Sequence, residues 1–474
     1  MTRLRIGIVV PGFSANAGDW CIPVQLDLAR RLSCDADVTV FPLRYPHHRQ
    51  AYTIESIQVR PQGGGLAAGT ARLDLLRRAI AVVVAEHRRR RFDVLHAMWA
   101  DEPGFVAIAA GRLLGVPVVA SLLGGELVAL RDIGYGAQIS RVNRALIGAT
   151  LRAADKVTAG SSYLRSLAAR IVPQHRLVAL TLGVNTEMFR ACRTDTPGVD
   201  LAGATKLLHV GSLVPVKDQA TLLRAVARVR RDIPGIHLHI VGDGPMRAAL
   251  GTMVIELGLQ GCVTFHGAVR HEALPAWYHA ADLCVLSSRH EGQELVTLEA
   301  AACGRATVGT AVGILPDVMP GRYVAPPQDS ERLASAIRLA LDDRESCRRQ
   351  AAFDTVRTRY SLEQTVADLS ALYAGRALNR ALEAQSPAPK ANRQNRQDKR
   401  HADNARREPR DRGAVCAVGR DEPGTQSHQH NDAHAIGEGQ QTGLVDGESQ
   451  QKKGQREDVE DDDAQQETKS AGGG

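Results

Sequence analysis

Aromatic side chains are scarce: Phe, Tyr and Trp make up 4% of the 474 residues. Apart from Tyr45 they do not interleave with the basic clusters RYPHHR (44–49) and HRRRR (87–91), which argues against a nucleic-acid partner. Closely spaced cysteine pairs are also missing. The eight cysteines, at positions 21, 34, 192, 262, 284, 303, 347 and 416, contain no C-x-x-C, so neither a zinc site nor a disulfide framework is suggested. A reduced, cytoplasmic compartment fits that pattern. No apolar run approaches the roughly 18 residues of a membrane span. The N-terminal run IGIVV is shorter than the roughly 7–15 apolar residues of a signal peptide, and reads instead as a buried strand entering a loop.

What is present is aliphatic and basic. The net charge is +7. The basic clusters are either solvated helix ends and loops, or a surface drawn to anionic membrane lipid or a phosphorylated substrate. From residue 1 to about 375, short β-branched runs alternate with longer segments rich in Ala, Leu and Arg. Strands are expected at 5–10, 37–41, 94–98, 117–122, 156–160, 177–181, 206–211, 237–242, 263–267, 283–288 and 306–310. Helical spacing fills stretches such as 219–232 and 246–258. Such alternation predicts α/β architecture, with parallel sheets covered on both faces. Eleven strands are too many for one ordinary doubly wound sheet, so two such domains are more economical.

The turn-rich, aperiodic segment 183–204 marks a boundary. It divides the chain into a domain over 1–188 and a second over 189–375. Open α/β sheets bind ligands outside the carboxyl ends of their strands, so two facing domains enclose a cleft. From 385 to 474 there is no Phe, Tyr, Trp or Met, and few large aliphatics. Such a segment cannot bury enough surface to offset its ordering entropy, so 376–474 is expected to be a disordered tail without a catalytic role.

The chemistry concentrates in RHEGQELVTLEAAACGRATV (289–308). LCVLSS (283–288) reads as a strand, RHEGQ as the loop at its carboxyl end, and ELVTLEAAACG as a helix closed by Gly304. A loop-to-helix junction offers unpaired N–H groups and a positive dipole end, suited to a phosphate or a sugar oxygen. Glu291 would stand at the edge of the cleft. Glu299 would lie about two turns further on. A carboxylate inside a cleft-facing helix can accept both hydroxyls of a vicinal diol, such as a ribose. It can equally pair with a nearby arginine or cap a neighbour, because E-x7-E alone is a weak pattern. His96, in DVLHAMWADEP, could reach the cleft with Asp101 and Glu102, or be a structural histidine.

The order of the elements adds to this. HVGSLVPVKDQATLLRAVARV (209–229), IVGDGPMRAAL (240–250), the stretch just described and VGILPD (312–317) follow one another. The series resembles the retaining glycosyltransferases of family 4, such as glycogen synthases and phosphatidylinositol mannosyltransferases. Their GT-B architecture pairs two Rossmann-like domains. Weaker likenesses are PGFSANAGDW (11–20), ADKVTAGSSYLRSL (154–167) and LGVNTEMF (182–189), the last with Asn185 where aspartate is usual.

The resemblance implies transfer of a sugar from a nucleotide-diphosphate sugar to an acceptor hydroxyl. It implies no cofactor and no metal beyond that co-substrate. Lys217 would neutralise the diphosphate, Glu299 would hold the ribose, and Glu291 would face the transferred sugar. Gly292, Leu295 and Val296 would line the sugar and distal phosphate, with Gly211, Ser212 and Gly242 beside them. Gly18 and Asp19 would lie on the acceptor side. The chain departs from the family in three places. Ser212 replaces an arginine, so one cation on the diphosphate is either missing or supplied by another residue such as Arg289 or Arg305. Ile314 and Asp317 replace a glycine and a glutamate. Gly124 stands where a histidine is common, which leaves Glu126 as the nearest polar candidate. Cytoplasmic placement is expected, with peripheral contact at an anionic membrane as one of the two readings of the basic clusters.

Three other readings remain. GGGLAAG (63–69) fits a dinucleotide fingerprint but reads as a loop before a helix, with no acidic ribose partner following. A nucleotide-sugar epimerase could share the scaffold. A non-catalytic sugar-nucleotide or glycan-binding protein could also have kept the fold.

Overall fold

The structure is a computed structural model that describes residues 3–19, 21–191, 199–345 and 353–375. The tail expected at 376–474 lies outside the described residues. The first eight strands are β1 (Leu4–Gly12), β2 (Ala36–Tyr45), β3 (Tyr52–Ile54), β4 (Ile57–Val59), β5 (Val94–Met98), β6 (Val118–Leu122), β7 (Lys156–Ala159) and β8 (Leu177–Ala179). They form one sheet in the order β3-β4-β2-β1-β5-β6-β7-β8, parallel throughout except for the β3–β4 hairpin. Helices α1 (Pro23–Ser33), α2 (Gly69–Arg89), α3 (Glu102–Leu114), α4 (Arg141–Ala153) and α5 (Ser162–Ala168) connect the strands. β5 and β6 are buried along their whole length, as strands covered on both faces must be.

The second sheet contains β9 (Thr205–Val210), β10 (Ile236–Val241), β11 (Val263–Phe265), β12 (Leu283–Val285), β13 (Thr307–Thr310) and β14 (Val324–Ala325). All pairings are parallel, in the order β11-β10-β9-β12-β13-β14. This is the Rossmann order, and it reverses direction between β9 and β12. Its helices are α6 (Gln219–Val229), α7 (Arg247–Glu256), α8 (Leu274–Ala280), α9 (Leu295–Ala302), α10 (Leu315–Val318), α11 (Ser330–Asp342), α12 (Phe353–Arg359) and α13 (Leu362–Tyr373).

Each sheet carries its own aliphatic core. On α6, Leu222, Leu223, Val226 and Val229 recur at helical spacing and are fully buried. Truncating one of these leucines to alanine costs about 2–5 kcal/mol. Asp218 caps α6, its carboxylate accepting from the Thr221 N–H and hydroxyl.

The last helix leaves the second sheet. α13 packs against α1, where Arg31 pairs with Glu363 at 3.4 Å. The Thr365 hydroxyl accepts from the Gly183 N–H and donates to the Thr181 carbonyl. No helix among the described residues is long and apolar enough to cross a membrane.

Candidate active site

The reversal between β9 and β12 brings two loops together at the carboxyl ends of those strands. One runs from Gly211 to Asp218, the other from Leu286 to Glu294. Lys217 donates from Nζ to Glu291 Oε1 at 2.6 Å, and the Ser288 hydroxyl donates to the same oxygen at 2.6 Å. The Ser287 hydroxyl donates to the Lys217 carbonyl at 2.8 Å, and the Arg289 N–H to the Val216 carbonyl at 2.8 Å. The two loops are thus laced by side chain and backbone.

Below them lies His209, fully buried. Its Nδ1 faces the Val285 carbonyl at 2.9 Å, so Nδ1 carries the proton and Nε2 accepts from Gln219 Nε2. Burial holds its pKa down at about 4. The same Gln219 nitrogen donates to the Ser212 carbonyl at 2.9 Å, which fixes the exposed Ser212 by its backbone. Gly242 has φ +138°, and a Cβ there would lie 2.1 Å from the Gly211 carbonyl oxygen, so only glycine fits.

Helix α9 starts at the mouth of this site, and its first turn carries no side-chain cap. Gly292 is packed so that a Cβ would meet the Leu123 carbonyl oxygen at 2.5 Å. Leu295 and Val296 are half-buried at the helix start. Glu294 points the other way. Its carboxylate accepts from the Ile314 and Leu315 N–H groups, each at 3.0 Å. Burial, then the nearby Glu291 charge, pushes its pKa up to about 8. Gly313, at φ +59°, makes room for it, because a Cβ there would lie 1.7 Å from Glu294 Oε2. The divergent VGILPD loop is therefore fastened to α9. Ile314 is buried, and Asp317 accepts from the Ser162 N–H at 2.7 Å.

Glu299 is buried on the face of α9 that meets α8 and the segment before residue 191. Its two oxygens meet His271 Nε2 at 2.9 Å and the Tyr278 hydroxyl at 2.8 Å. Each carboxylate oxygen has a second lone pair, so capacity for two more donors remains. Burial opposes charge on His271, but the Glu299 hydrogen bond and charge, with that of Asp27, raise its pKa above the ordinary value.

The two arginines considered as replacement cations part company. Arg289 lies in the loop beside Glu291, its guanidinium on Asp132 from across the cleft. That bond holds the Asp132 carboxyl below its usual range. Arg305 lies behind α9 and donates to the Tyr278 and His279 carbonyls at 3.1 and 2.6 Å, where it caps α8.

In the first half, His96 is fully buried inside the sheet. Its Nδ1 meets the Tyr373 hydroxyl at 2.6 Å and its Nε2 the Ser121 hydroxyl at 2.7 Å. Burial holds its pKa down at about 3. It ties α13 to the sheet and does not face the cleft. Glu126 is buried too, and its carboxylate accepts from the Leu123 and Gly124 N–H groups at 3.0 and 2.7 Å, folding its own loop. Glu102 is taken by Arg44 and Arg72. Asp101 is half-buried and raised to about 7, by burial first and then by the charges of Glu126 and Glu102. Asp19 organises the loop after β1, accepting from the Ala15 N–H at 2.6 Å and the Tyr45 hydroxyl at 2.9 Å. Gly18 is exposed on that loop.

A set of contacts across the cleft has no counterpart in the sequence reading. The Ser161 hydroxyl donates to the Gly292 carbonyl at 2.7 Å. Gln293 exchanges hydrogen bonds with the Leu182 backbone. His290 meets the Gly124 carbonyl and the Tyr163 hydroxyl, each at 3.0 Å. Each pair is separated by more than a hundred residues, and no local pattern announces it. The polar residues crowded around Glu291 were the one available signal.

A family model described as glycosyl transferases group 1 matches residues 204–343. Another, described as glycosyl transferase 4-like domain, matches residues 23–183. The chain is 30% identical over 281 residues to the GDP-mannose-dependent alpha-(1-6)-phosphatidylinositol monomannoside mannosyltransferase of Mycobacterium tuberculosis, spanning 56% of this chain and 69% of that protein. The fold is similar to that of sucrose-phosphate synthase from Thermosynechococcus elongatus, with a TM-score of 0.65 and 22% identity over 81% of this chain and 100% of that one. It is also similar to Anabaena HepE in complex with UDP-glucose, with a TM-score of 0.60 and 16% identity over 79% and 100% of the two chains.

Proposed function

This chain belongs to family 4 of the glycosyltransferases, with the GT-B fold, and on that premise we propose that it transfers a hexosyl group from a nucleotide-diphosphate sugar to an acceptor hydroxyl with retention and without a metal ion. The observation that supports this most is the Lys217–Glu291 pair at the strand-order reversal, beside the uncapped start of α9.

The roles follow from charge. An ammonium has three N–H donors, and one of them meets Glu291. The others are suited to diphosphate oxygens, with Arg289 as the second cation in place of the arginine absent at 212. Together with the α9 dipole they supply the positive charge that a metal ion would otherwise provide. Glu299 uses its remaining lone pairs on the ribose hydroxyls. Glu291 faces the hydroxyls of the sugar and the positive charge that develops at its anomeric carbon.

In the reaction, the bond from the anomeric carbon to the phosphate oxygen breaks. A bond to the acceptor oxygen forms on the same face. The acceptor's proton passes to the leaving phosphate, so no separate base is required. The first half of the chain holds the acceptor, which is a glycan, a lipid or a small molecule. One named relative is GDP-mannose-dependent and one structural neighbour is in complex with UDP-glucose, so the donor base is left to experiment. The enzyme works in the cytoplasm, where its basic clusters allow peripheral contact with an anionic membrane.

The test is turnover of nucleotide-diphosphate sugars by the full chain, with the product anomer read by NMR. An anomer matching the donor supports the proposal. An inverted product, or tight nucleotide-sugar binding without turnover, contradicts it. The second outcome favours a non-catalytic binding protein, a reading that also draws on Ser212 and Gly124.

A further inference from the structure

His290 is the residue before Glu291, is 1% exposed, and belongs to neither the diphosphate nor the ribose machinery described above. Its partners define its protonation. Nε2 lies 3.0 Å from the Gly124 carbonyl oxygen, which can only accept, so Nε2 carries the proton. Nδ1 is then bare and accepts from the Tyr163 hydroxyl at 3.0 Å. The ring also lies against Tyr135 and Tyr163, at centroid distances of 5.9 and 5.5 Å. One neutral imidazole on the donor-side loop thus holds two elements of the other half: the turn after β6, and α5.

That turn has little freedom of its own. Glu126 takes the N–H groups of Leu123 and Gly124, and His290 takes the Gly124 carbonyl. Leu123 packs directly on Gly292. Glu291 lies between the two clamped residues, and its carboxylate is aimed by Lys217 and Ser288. Gly124 has no side chain to offer the cleft, and His290 reaches that wall from the opposite side.

We propose that His290 is a positioning residue for glycosyl transfer: as a neutral Nε2–H imidazole it clasps Gly124 and Tyr163 and thereby fixes Glu291 against the wall of the first half. This rests on the function proposed above for Glu291.

The charge environment bears on how the clasp responds to acid. Burial lowers the His290 pKa most. The Gly124 bond and the Glu291 charge raise it, and Lys217 lowers it again. Tyr135 and Tyr163 face the ring, both with pKa values raised first by burial, and Glu126 lies behind Gly124. Arg289 and Asp132 pair at the preceding position. Protonation at Nδ1 would convert an acceptor into a donor, force the Tyr163 hydroxyl to reverse and bury a charge. The clasp therefore holds in the neutral form and loosens in acid.

Two measurements on the full chain test this. Histidine-labelled protein, read by long-range nitrogen–proton NMR without substrate, is expected to show His290 as the Nε2–H tautomer. It should titrate below the ordinary value of about 6.5. Tyr163→Phe removes a donor that favours the neutral ring, so the midpoint should rise. An Nδ1–H tautomer, or an ordinary titration unmoved by Tyr163→Phe, overturns the clasp whatever the enzyme's donor proves to be.

The second measurement is turnover against pH. His290→Ala should lower kcat about a hundredfold with a smaller change in KM for the donor, the scale of a misplaced catalytic group. His290→Gln keeps an N–H for the Gly124 carbonyl and should recover about tenfold of that loss. It should also remove the acid limb due to this imidazole. Equal losses in the two variants, or an unchanged acid limb in His290→Gln, reject a positioning role. A wild-type chain without turnover rejects the proposed function, while the NMR result still decides the clasp.

Discussion

Lys217 Nζ stands 2.6 Å from Glu291 Oε1, although the two residues are 74 positions apart in the chain. The cation assigned to the leaving diphosphate and the carboxylate assigned to the sugar are direct partners. They are brought together because β9 and β12 are neighbours at the point where the strand order reverses. On that assignment, charge at the reacting centre is held by a pair on two loops.

Lys217→Ala removes a preorganised donor aimed at developing negative charge, and should lower kcat/KM by about 10²–10³-fold. Glu291→Gln should lower kcat while leaving nucleotide affinity within a few-fold. Steady-state kinetics with calorimetric nucleotide binding checks both. A Lys217→Ala enzyme within threefold of wild type removes the assignment.

The two arginines should behave differently. Arg289→Ala should weaken turnover of diphosphate donors, and the loss should be partly masked at high salt. Arg305→Ala takes donors from the Tyr278 and His279 carbonyls. It should lower the melting temperature while kcat/KM of the folded fraction stays near wild type. The reverse pattern would move the second cation to Arg305.

Glu299→Ala should weaken nucleotide binding more than tenfold through loss of the ribose hydroxyl contacts. It also strands Tyr278 and His271, at a cost of about 1–3 kcal/mol per unpaired buried group. The stability part has a pH signature. The folded-state pKa of His271 is raised, so its ion pair contributes fully below the unfolded value of about 6.5 and is lost as pH rises through the folded value. Denaturation midpoints at several pH values should show this extra stability on the acid side in wild type, and not in His271→Ala. Unchanged nucleotide affinity in Glu299→Ala ends the ribose role.

His96→Ala should act on stability alone. It leaves the Ser121 and Tyr373 hydroxyls short of a partner inside the core, a cost of about 1–3 kcal/mol. Turnover per folded molecule should stay within threefold. A collapse of kcat in stable protein would return His96 to the chemistry.

Most strands of both sheets were legible because short runs rich in β-branched and aliphatic residues carry them. VLHAM coincides with β5, and HLHIVG is displaced by one residue from β10. The β3–β4 hairpin and β14 were missed. Gly304 closes α9 as expected, with φ +73°. At the site, loop chemistry placed Lys217 and Glu291 correctly near the strand ends, but it could not tell that they touch.

His96 and Glu126 show the other limit. A polar residue near a strand end can face the cleft or complete a buried network, and the difference is set by partners far away in sequence. For His96 the deciding partner is Tyr373, 277 residues on. Glu299 lies in the helix as read, and its carboxylate is bonded to His271 and Tyr278 in a buried network.

The most direct test of the central claim is thermal unfolding of the full chain with UDP-, GDP-, ADP- and TDP-sugars, repeated with Lys217→Ala and Glu299→Ala. One nucleotide class should raise the melting temperature of the wild type, and both variants should lose most of that shift. A flat response from folded wild-type protein, or a shift that survives both substitutions, would contradict a donor site built on these residues.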